Sequence, residues 1–526
     1  MSINIAFRTD ASLEIGTGHV MRCLTLARAL RGSGAACSFI TRALPGHLAD
    51  RIADEGFDVT LLPKPQGMIP QGPPAHAHWA GVNWAEDADE TRAALRKAPD
   101  WLVMDHYAFD ARWQNAACPE NTRLMVIDDL SDRPHVCDLL LDQNLGHEAH
   151  DYDGLVPEAC TRLIGPQYAL LRPEFGEARA GALAAREGRG LKRLMISMGG
   201  VDAVDATSVV LSALRDASLP KGLEISVIMG GQAPALEKVR ALARDMPCPT
   251  EVVVDVSDMA VRMADADLAI GAGGSTTWER CALGLPSIIV ETADNQSGVA
   301  VALARAGAGF APGALHDPYF ARALSAAITE AGDPVRLATM SEATADICDG
   351  DGAGRVLRQI VSLGCDGSAA MHVRPANTED ALDVWHWRYF GNASLYFRNP
   401  VSVPLDQHLS WFEAALAMPD RWLLILEKDG QPVGHVRLDR DAAALDLAEV
   451  SIYMNPVYRG KGLAIPALLA ALNCARRAGL HRFRAQAHQD NTASIGLFKK
   501  AGFVITGQDY AFVDLALPRV DKGSAN

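Results

Sequence analysis

A histidine preceded by two glycines is the first group in the chain that could do acid–base chemistry. Gly16-Thr17-Gly18-His19 lies between a strand predicted at Asn4–Phe7 and a helix predicted at His19–Arg31. Glycines there let the backbone approach a ligand, and a helix N-terminus offers free N–H groups and partial positive charge. A histidine at this place has a pKa suited to proton transfer near neutral pH, so His19 is a candidate general base. The alternative is a histidine that only caps the helix or packs against it.

Polar side chains also follow two predicted strands of the same region. Arg8 and Asp10 come just after the first strand and can orient the His19 ring or contact a polar ligand. Tyr107 follows the strand predicted at Trp101–Met104. Open α/β sheets bind ligands at the carboxyl ends of their strands, so these side chains are candidates for the same site.

A second glycine loop lies in the middle of the chain. The strand predicted at Leu268–Ile270 is followed by Gly271-Ala272-Gly273-Gly274-Ser275-Thr276-Thr277, with Glu279 inside the next helix. Glycines and hydroxyls before a helix can hold a diphosphate, and a carboxylate one turn later can bind ribose hydroxyls. Asn295 and Gln296, after the next strand, can bind sugar hydroxyls. The alternative is a glycine turn with a purely structural role.

A third loop of this kind lies near the C-terminus. A strand predicted at Glu449–Met454 leads into Arg459-Gly460-Lys461-Gly462-Leu463-Ala464, which opens a helix. The spacing R-x-x-G-x-A leaves consecutive backbone N–H groups exposed at a helix N-terminus. Such an arrangement can bind a pyrophosphate. The hexapeptide is a weak signal alone and gains weight from the stretch Asn491–Phe498 that follows it.

The pattern of elements that must position these loops changes twice along the chain. Strands alternate with amphipathic helices in two successive runs, which predicts two Rossmann-like lobes with a ligand in the cleft between them. After a break within Asp349–Ala370, consecutive strands joined by a Lys-Asp-Gly turn predict a mixed α+β domain. We therefore predict an α/β protein with lobes at residues 1–178 and 191–362 and a third domain at 371–516. Each half is expected to have its own core.

Composition narrows the classes of function. The 526 residues are 49% hydrophobic and 21% charged, which excludes collagen-like and disordered chains. A net charge of −15 argues against a nucleic-acid partner. The ten cysteines include no C-x-x-C pair, and no cluster demands a metal, so we expect a reducing cytoplasmic location and no metal. Neither a signal peptide nor a span of about 20 apolar residues is found, so no membrane partner is expected.

The motifs of the first two lobes carry a resemblance. G-x-G-G-S-T-x-W-E, the downstream D-N-Q and the N-terminal R-x-D…I-G-x-G-H-x-x-R together resemble the UDP-2,4-diacetamido-2,4,6-trideoxy-β-L-altropyranose hydrolases of pseudaminic acid biosynthesis, over residues 3–362. That family resembles the GT-B glycosyltransferases. The resemblance implies that His19 activates a water against the anomeric carbon of a UDP-sugar. It implies UDP-binding roles for Gly273, Gly274, Ser275, Thr276 and Glu279, and sugar-side or supporting roles for Arg8, Asp10, Gly18, Tyr107, Asn295 and Gln296.

The C-terminal motifs resemble the GNAT superfamily of acetyl-CoA-dependent N-acetyltransferases, over residues 371–516. The resemblance implies that Ile452 and Met454 contact the acetyl and pantetheine arm through their backbones. It assigns the remaining CoA contacts to Arg459, Lys461, Gly462, Ala464 and Asn491. Phe498 stands where many members have the tyrosine that protonates the leaving thiolate. Glu449 and His435 are candidate acceptors of the amine proton.

Three hypotheses follow. Segments around Trp387 and Trp411 resemble sugar-nucleotide 4-amino N-acetyltransferases, so the first is a bifunctional enzyme that acetylates a UDP-activated amino sugar and then hydrolyses it. The second is a GT-B glycosyltransferase fused to an N-acetyltransferase of unrelated substrate. The third is a non-catalytic sugar-nucleotide sensor, which retention of His19 opposes. The sequence leaves the oligomeric state open.

Overall fold

Three β-sheets organise the chain. The computed structural model describes residues 3–67, 70–293, 296–363, 371–389, 396, 403–428 and 430–518. The first two sheets are parallel throughout, and the third is mixed. Within the described residues, no helix is both long and apolar enough to cross a membrane.

The first lobe contains seven parallel strands. Its elements are β1 (Asn4–Thr9), α1 (Gly18–Gly32), β2 (Ala36–Arg42), α2 (Ala49–Asp54), β3 (Asp58–Leu62), α3 (Trp84–Ala94), β4 (Trp101–Asp105), α4 (Ala111–Ala117), β5 (Arg123–Ile127), β6 (Leu139–Asp142), β7 (Thr161–Ile164) and α5 (Pro173–Arg186). The strand order is β3-β2-β1-β4-β5-β6-β7. The central strands are buried on both faces, which explains their short, continuous apolar runs. The order changes direction between β1 and β4, so a crevice opens at the carboxyl ends of these two strands.

The second lobe repeats this plan with six parallel strands. Its elements are β8 (Arg193–Ser197), α6 (Ala206–Arg215), β9 (Glu224–Met229), α7 (Leu236–Arg244), β10 (Thr250–Val254), α8 (Met259–Asp265), β11 (Leu268–Ala272), α9 (Thr276–Ala282), β12 (Ser287–Val290), α10 (Ser297–Arg305), β13 (Gly309–Phe310), α11 (Phe320–Ala331), α12 (Pro334–Ile347) and α13 (Gly352–Leu363). The order is β10-β9-β8-β11-β12-β13, with the change of direction between β8 and β11. The second glycine loop follows β11, at this crevice.

The third domain is an α+β unit around a mixed sheet. Its elements are β14 (His372–Pro375), α14 (Ala381–Tyr389), α15 (Leu405–Ala417), β15 (Arg421–Lys428), β16 (Gln431–Asp441), β17 (Ala444–Met454), α16 (Ala464–Arg477), β18 (Arg482–His488), α17 (Thr492–Lys500), β19 (Val504–Asp509) and β20 (Phe512–Leu517). The strand order is β14-β15-β16-β17-β18-β20-β19. The parallel pairing of β17 with β18 joins Leu447–Glu449 to Arg482–Arg484 and stops there. The rest of β17 therefore borders a cleft.

The apolar core joins the third domain to the first lobe. One cluster of buried side chains contains Leu24 of α1, Ile360 of α13 and Leu472 of α16. Gly479, just past α16, lies so near Ser33, just past α1, that an added Cβ would come within 3.2 Å of the Ser33 Cα. The expectation that each half has its own core is therefore wrong, because α13 returns from the second lobe and links the two cores into one.

Candidate active sites

A cleft between the first two lobes brings together residues predicted from two distant loops. Its cavity has a volume of about 220 Å³. The predicted residues that line it are Gly18, His19, Tyr107, Gly273, Gly274, Ser275 and Gln296. The cleft lies where α1 begins on one lobe and the loop after β11 ends on the other. Among the described residues, no group of three or more His, Cys, Asp or Glu is placed to hold a metal ion.

The His19 ring is held by a carboxylate at the end of β4. Nδ1 of His19 lies 2.6 Å from Oδ1 of Asp105, which is fully buried. Burial alone would raise the pKa of Asp105, but Arg22 and His19 hold it well below its usual range. Asp105 is therefore ionised and can only accept, so Nδ1 of His19 carries the hydrogen, and in the neutral imidazole the lone pair is on Nε2. This is the tautomer that a general base in the cleft needs.

Arg22 connects this pair to a second carboxylate. Arg22 lies one turn after His19 on α1. Its guanidinium donates to both oxygens of Asp105 and to Oδ2 of Asp129, at 2.5 to 2.7 Å. The Tyr107 hydroxyl donates to the same Oδ2 at 2.7 Å. Burial, with Asp129 adding to it, raises the pKa of Tyr107, so the phenol stays protonated. Its ring meets the His19 ring edge-on, with centroids 4.6 Å apart.

Arg8 and Asp10 lie beneath the cleft instead of lining it. Both side chains are fully buried and joined by a 2.6 Å ion pair. Arg8 also pairs with Asp87 of α3 at 2.6 Å, and Oδ1 of Asp10 accepts from the Arg42 backbone N–H. Burial opposes ionisation of Asp10, but Arg8 holds its pKa well below the usual range. Neither residue lines the cavity, and the carboxylate that contacts the His19 ring is that of Asp105.

The second glycine loop is fixed from both sides. Gln296 accepts from the backbone N–H groups of Gly273 and Thr292 through Oε1, at 3.3 and 3.1 Å. A Cβ on Gly273 would lie 3.1 Å from the Gln296 Cβ, so this position requires a small residue. Arg280 of α9 is 2% exposed and donates to the carbonyl of Ala272. Its positive charge, with no ion-pair partner among the described residues, lies under a loop suited to an anion.

Three further residues were predicted for this site: Thr276, Glu279 and Asn295. Thr276 begins α9, and Glu279 lies one turn further on. Burial raises the pKa of Glu279 to about 7, although Arg172, at 3.6 Å, counteracts part of this shift. Its side chain keeps 15% exposure, and neither Glu279 nor Thr276 lines the cavity. Asn295 lies outside the described residues.

The second site is the cleft between β17 and β18, with a volume of about 810 Å³. The predicted residues that line it are Ile452, Met454, Arg459, Gly462, Ala464 and Asn491. Gly460 and Gly462 have φ of 75° and 74°, a left-handed backbone that favours glycine. This conformation turns the chain into α16 and leaves the N–H groups at its start facing the cleft.

Three polar residues of this loop have further contacts. Arg459 donates to the carbonyls of Met454 and Trp387, so it ties the loop to α14. Lys461 is exposed beside the ring of Tyr458, at 5.2 Å from its centroid. Asn491 caps α17 by accepting from the N–H of Ser494 at 3.0 Å. The backbone N–H groups of Arg459 and Lys461 donate to the carbonyls of Pro456 and Tyr458, so the N–H groups left for a ligand are those nearer the start of α16.

The three residues considered for proton transfer in the second site differ in their ability to take or give a proton. Phe498 is buried against Phe503, with ring centroids 5.0 Å apart, and offers no proton. Burial, reinforced by Arg437 and Arg388, lowers the pKa of His435 to about 3. An imidazole that resists protonation this strongly is a poor acceptor for the proton of an amine. Glu449 is 41% exposed and lies 3.5 Å from Arg484.

Sequence reasoning assigned no role to four residues that shape the first site. Arg22 lies one helical turn after His19 in the H-x-x-R motif, and this spacing could have indicated it. Asp105 and Asp129 come at or just after the ends of β4 and β5, where ligands bind in such sheets, and this position could have indicated them. Trp79 lies in a segment without periodicity, and no such feature indicated it. Sequence positions alone could not show that Asp105 and His19, 86 residues apart, form one hydrogen bond.

Two parallel-sheet lobes with a cleft, followed by a mixed sheet with a splayed strand pair, define the class of the molecule: a GT-B-like fold joined to a GNAT-type domain. MurG from Acinetobacter baumannii has the fold of the first part, with a TM-score of 0.51 and 16% identity over 68% of this chain and 99% of that chain. The predicted fold class is thereby confirmed.

Family models divide the chain in the same way. Residues 194–343 match the glycosyltransferase family 28 C-terminal domain, and residues 371–504 match the acetyltransferase (GNAT) domain. The C-terminal part is 34% identical to the L-methionine sulfoximine/L-methionine sulfone acetyltransferase of Salmonella typhimurium, over 26% of this chain and 82% of that protein. Through this domain the chain belongs to the GNAT acetyltransferases.

The N-terminal part is similar to a sugar-nucleotide enzyme. It is 27% identical to the UDP-2,4-diacetamido-2,4,6-trideoxy-β-L-altropyranose hydrolase of Campylobacter jejuni, over 308 residues, 58% of this chain and 97% of that protein. The resemblance inferred from the motifs is therefore confirmed for both parts. The chain is a fusion of a hydrolase-like GT-B part with a GNAT domain.

Proposed function

We propose that the chain carries two enzymes that act in succession on one UDP-sugar in pseudaminic acid biosynthesis, in the cytoplasm. The GNAT domain transfers acetyl from acetyl-CoA to the 4-amine of UDP-4-amino-4,6-dideoxy-N-acetyl-β-L-altrosamine. The two-lobed part then hydrolyses UDP-2,4-diacetamido-2,4,6-trideoxy-β-L-altropyranose to UDP and the free sugar. The observation that carries the proposal is the His19–Asp105 pair facing the second glycine loop across one cleft.

In the hydrolysis, Nε2 of His19 takes a proton from a water whose oxygen bonds to the anomeric carbon. The bond from that carbon to the β-phosphate oxygen breaks, and its electron pair leaves on UDP. Attack on the face opposite UDP inverts the anomeric centre. The N–H groups of the glycine loop face the departing diphosphate, the buried charge of Arg280 lies beneath that loop, and Glu279 is the candidate for the ribose hydroxyls.

In the acetyl transfer, the 4-amine attacks the thioester carbonyl, a C–N bond forms and the C–S bond breaks. The backbone of Arg459–Ala464 binds the pyrophosphate of CoA, with Lys461 at its exposed edge. Ile452 and Met454 contact the acetyl and pantetheine arm, and Asn491 lies on the CoA side of the cleft. Glu449 is retained as the candidate acceptor of the amine proton because its side chain is exposed, whereas His435 resists protonation; solvent or another side chain must protonate the thiolate.

The test is a one-pot incubation of the full chain with the 4-amino UDP-sugar and acetyl-CoA, followed by NMR. The expected result is CoA, then UDP and the free diacetamido sugar, whose first-formed anomer has the inverted configuration. CoA release without UDP would contradict the hydrolase half, and UDP release without acetylation would contradict the order.

A second candidate function rests on a separate observation. The GNAT domain is similar to acetyltransferases whose named substrates are amino-acid derivatives. The alternative is therefore a GT-B glycosyltransferase joined to an N-acetyltransferase of unrelated substrate. Transfer of acetyl to L-methionine sulfoximine but not to the 4-amino UDP-sugar would favour this alternative.

A further inference from the structure

The walls of the hydrolase cleft supply little positive charge for a diphosphate. Among the described residues, the basic side chains that line the cavity are His19 and Arg22. His19 faces Asp105 through Nδ1, and Arg22 donates to both Asp105 and Asp129. The described residues of the second lobe that line the cavity carry no charge. A positive charge for the diphosphate must therefore come from behind the cavity wall.

Arg280 of α9 places such a charge behind the second glycine loop. Its side chain is buried, and its Nη2 donates to the carbonyl of Ala272 at 3.0 Å and to the hydroxyl of Thr277 at 2.9 Å. Both acceptors are neutral, and Nε has no hydrogen-bond partner among the described residues. A Cβ on Gly271 would clash with the guanidinium, so the glycine at this position lets the charge lie against the loop.

The free chain holds this charge without an opposite one. Burial lowers the pKa of Arg280 to about 10, while Cys281 and Glu279 act in the opposite direction. The guanidinium is therefore still positive at neutral pH. Glu279 lies 3.6 Å from Arg172, and within the described part of the chain no ion pair joins it to Arg280. An unpaired buried charge costs free energy of folding, and a bound anion offsets part of that cost.

The loop in front of Arg280 also has unused donors. The backbone N–H groups of Gly274, Ser275 and Thr276 donate to no group in the part of the chain that the structure describes. Gly274 and Ser275 line the cavity. An anion bound to these N–H groups is separated from the guanidinium by the backbone of the loop. Because the guanidinium is buried, its attraction for such an anion is screened by salt much less than that of an exposed side chain.

We infer that Arg280 determines the affinity of the hydrolase cleft for diphosphates: its charge, acting from behind the glycine loop, makes the site prefer UDP to UMP and to uridine. The inference rests on the proposed function, since it takes UDP as the leaving group. Arg280 acts without touching the ligand, so it is a specificity-determining residue. With an effective dielectric constant of about 20, one charge a few ångströms beyond contact changes an affinity by about 10-fold or more. The effect should increase with the number of phosphates.

Binding of UDP, UMP and uridine to the full-length chain tests this without turnover. Calorimetry gives the Kd of the two nucleotides, and ligand-detected NMR gives that of uridine. Arg280→Gln, which keeps a donor but removes the charge, should weaken the binding of UDP by about 10-fold or more. It should weaken UMP less and leave uridine unchanged. Arg280→Lys, which keeps the charge without the planar set of donors, should retain most of the preference for UDP.

Arg186→Gln is the matched control. Arg186 is another buried arginine of the chain that donates to carbonyls, including those of Met263 and Gly284, and burial lowers its pKa to about 10 as well. These carbonyls come before the starts of β11 and β12, at the end of β11 opposite the glycine loop. The substitution should leave all three Kd values unchanged.

The inference is overturned by a wild-type chain that does not prefer UDP to uridine, or by an Arg280→Gln protein that binds UDP as the wild type does. An equal loss of uridine binding, no rescue by lysine, or the same selective loss in Arg186→Gln would also overturn it. Circular dichroism checks folding, and Arg280→Met, of similar length, replaces the glutamine variant if that variant is unfolded. Failure of the proposed function is a separate result: UDP affinity would depend on Arg280 as expected, but the wild-type chain would release no UDP from the diacetamido UDP-sugar.

Discussion

At the scale of single residues, the orientation and tautomer of the His19 ring depend on its neighbours. The ionised Asp105 fixes the hydrogen on Nδ1, and Arg22 keeps Asp105 ionised by donating to both of its oxygens. Asp129 also accepts from Arg22 and from the Tyr107 hydroxyl. The imidazole is thus oriented by buried groups while Nε2 stays available, which is the arrangement expected of a general base.

We predict that His19→Asn removes most hydrolysis and leaves acetyl transfer unchanged. A general base contributes about 10²- to 10⁴-fold to a rate, and the asparagine keeps the size and a hydrogen bond but cannot take the proton. UDP release from the diacetamido UDP-sugar and CoA release from acetyl-CoA are measured separately. His150→Asn, at an exposed histidine, serves as control. Wild-type hydrolysis by His19→Asn would refute the assignment.

Glu279 gives a prediction about pH and stability. Its pKa is raised to about 7 in the folded chain, from an ordinary value near 4.5. The folded state thus binds this proton more tightly than the unfolded state, so the stability of the wild type falls as pH rises from about 4.5 through 7. Glu279→Gln, which does not titrate, removes that fall, which is worth about 3 kcal/mol for a pKa shift of this size.

The measurement is the melting temperature of both proteins between pH 5 and pH 8. The difference, variant minus wild type, should increase toward pH 8. Glu237→Gln, at an exposed side chain, controls for the loss of one acidic group. A difference that stays constant with pH would show that Glu279 is not the group responsible.

At the scale of elements, helices and strands could be predicted where apolar residues recur at regular spacing along a short stretch of the sequence. The helix predicted at His19–Arg31 is α1 (Gly18–Gly32), and the strand before the second glycine loop is β11. The loops that follow such strands could be found because glycine and hydroxyl residues have direct conformational and chemical consequences. The turn that carries Trp79 has no repeating apolar pattern, and the Arg8–Asp87 pair joins residues 79 apart. Contacts of this kind follow from tertiary packing, which one sequence does not display.

The start of α16 gives a prediction at this scale. Gly462→Asp should abolish acetyl transfer, because it places a negative charge beside the N–H groups that would bind the CoA pyrophosphate. The left-handed φ of 74° strains any side chain, so Gly462→Asn, which has the same size without the charge, is the control. Rates of CoA release should fall much further for Asp than for Asn. Equal losses would mean that strain, not charge, is responsible.

At the scale of the whole molecule, the shared core decides how the order of reactions can be tested. A fragment ending at residue 362 would expose the apolar face of α13 and of α1 that the third domain covers. The full-length Gly462→Asp protein is the better reagent, because it lacks acetyl transfer but keeps this core. On it, the two UDP-sugars can be compared as substrates of the hydrolase alone.

We predict that hydrolysis favours the diacetamido UDP-sugar over its 4-amino precursor by about 10²-fold or more in kcat/KM. A protonated 4-amine loses water on entering a site for a neutral acetamide, and groups that would bind the acetamide lose their partner. UDP release from each sugar is followed under the same conditions. Equal kcat/KM values would mean that the hydrolase does not enforce the order.

The contact between α1 and α16 has a consequence for the acetylated sugar. The two helices meet near their C-terminal ends, at Ser33 and Gly479, whereas His19 and Gly462 lie at their N-terminal ends. Each helix extends for about 20 Å between these ends, and the two clefts share no lining residue. On the proposed function, we therefore expect the intermediate to leave the first cleft and mix with the free pool before it is consumed. In an isotope-dilution experiment, unlabelled diacetamido UDP-sugar added to a reaction with labelled acetyl-CoA should dilute the label of the released sugar in full proportion; undiluted label would reveal direct transfer.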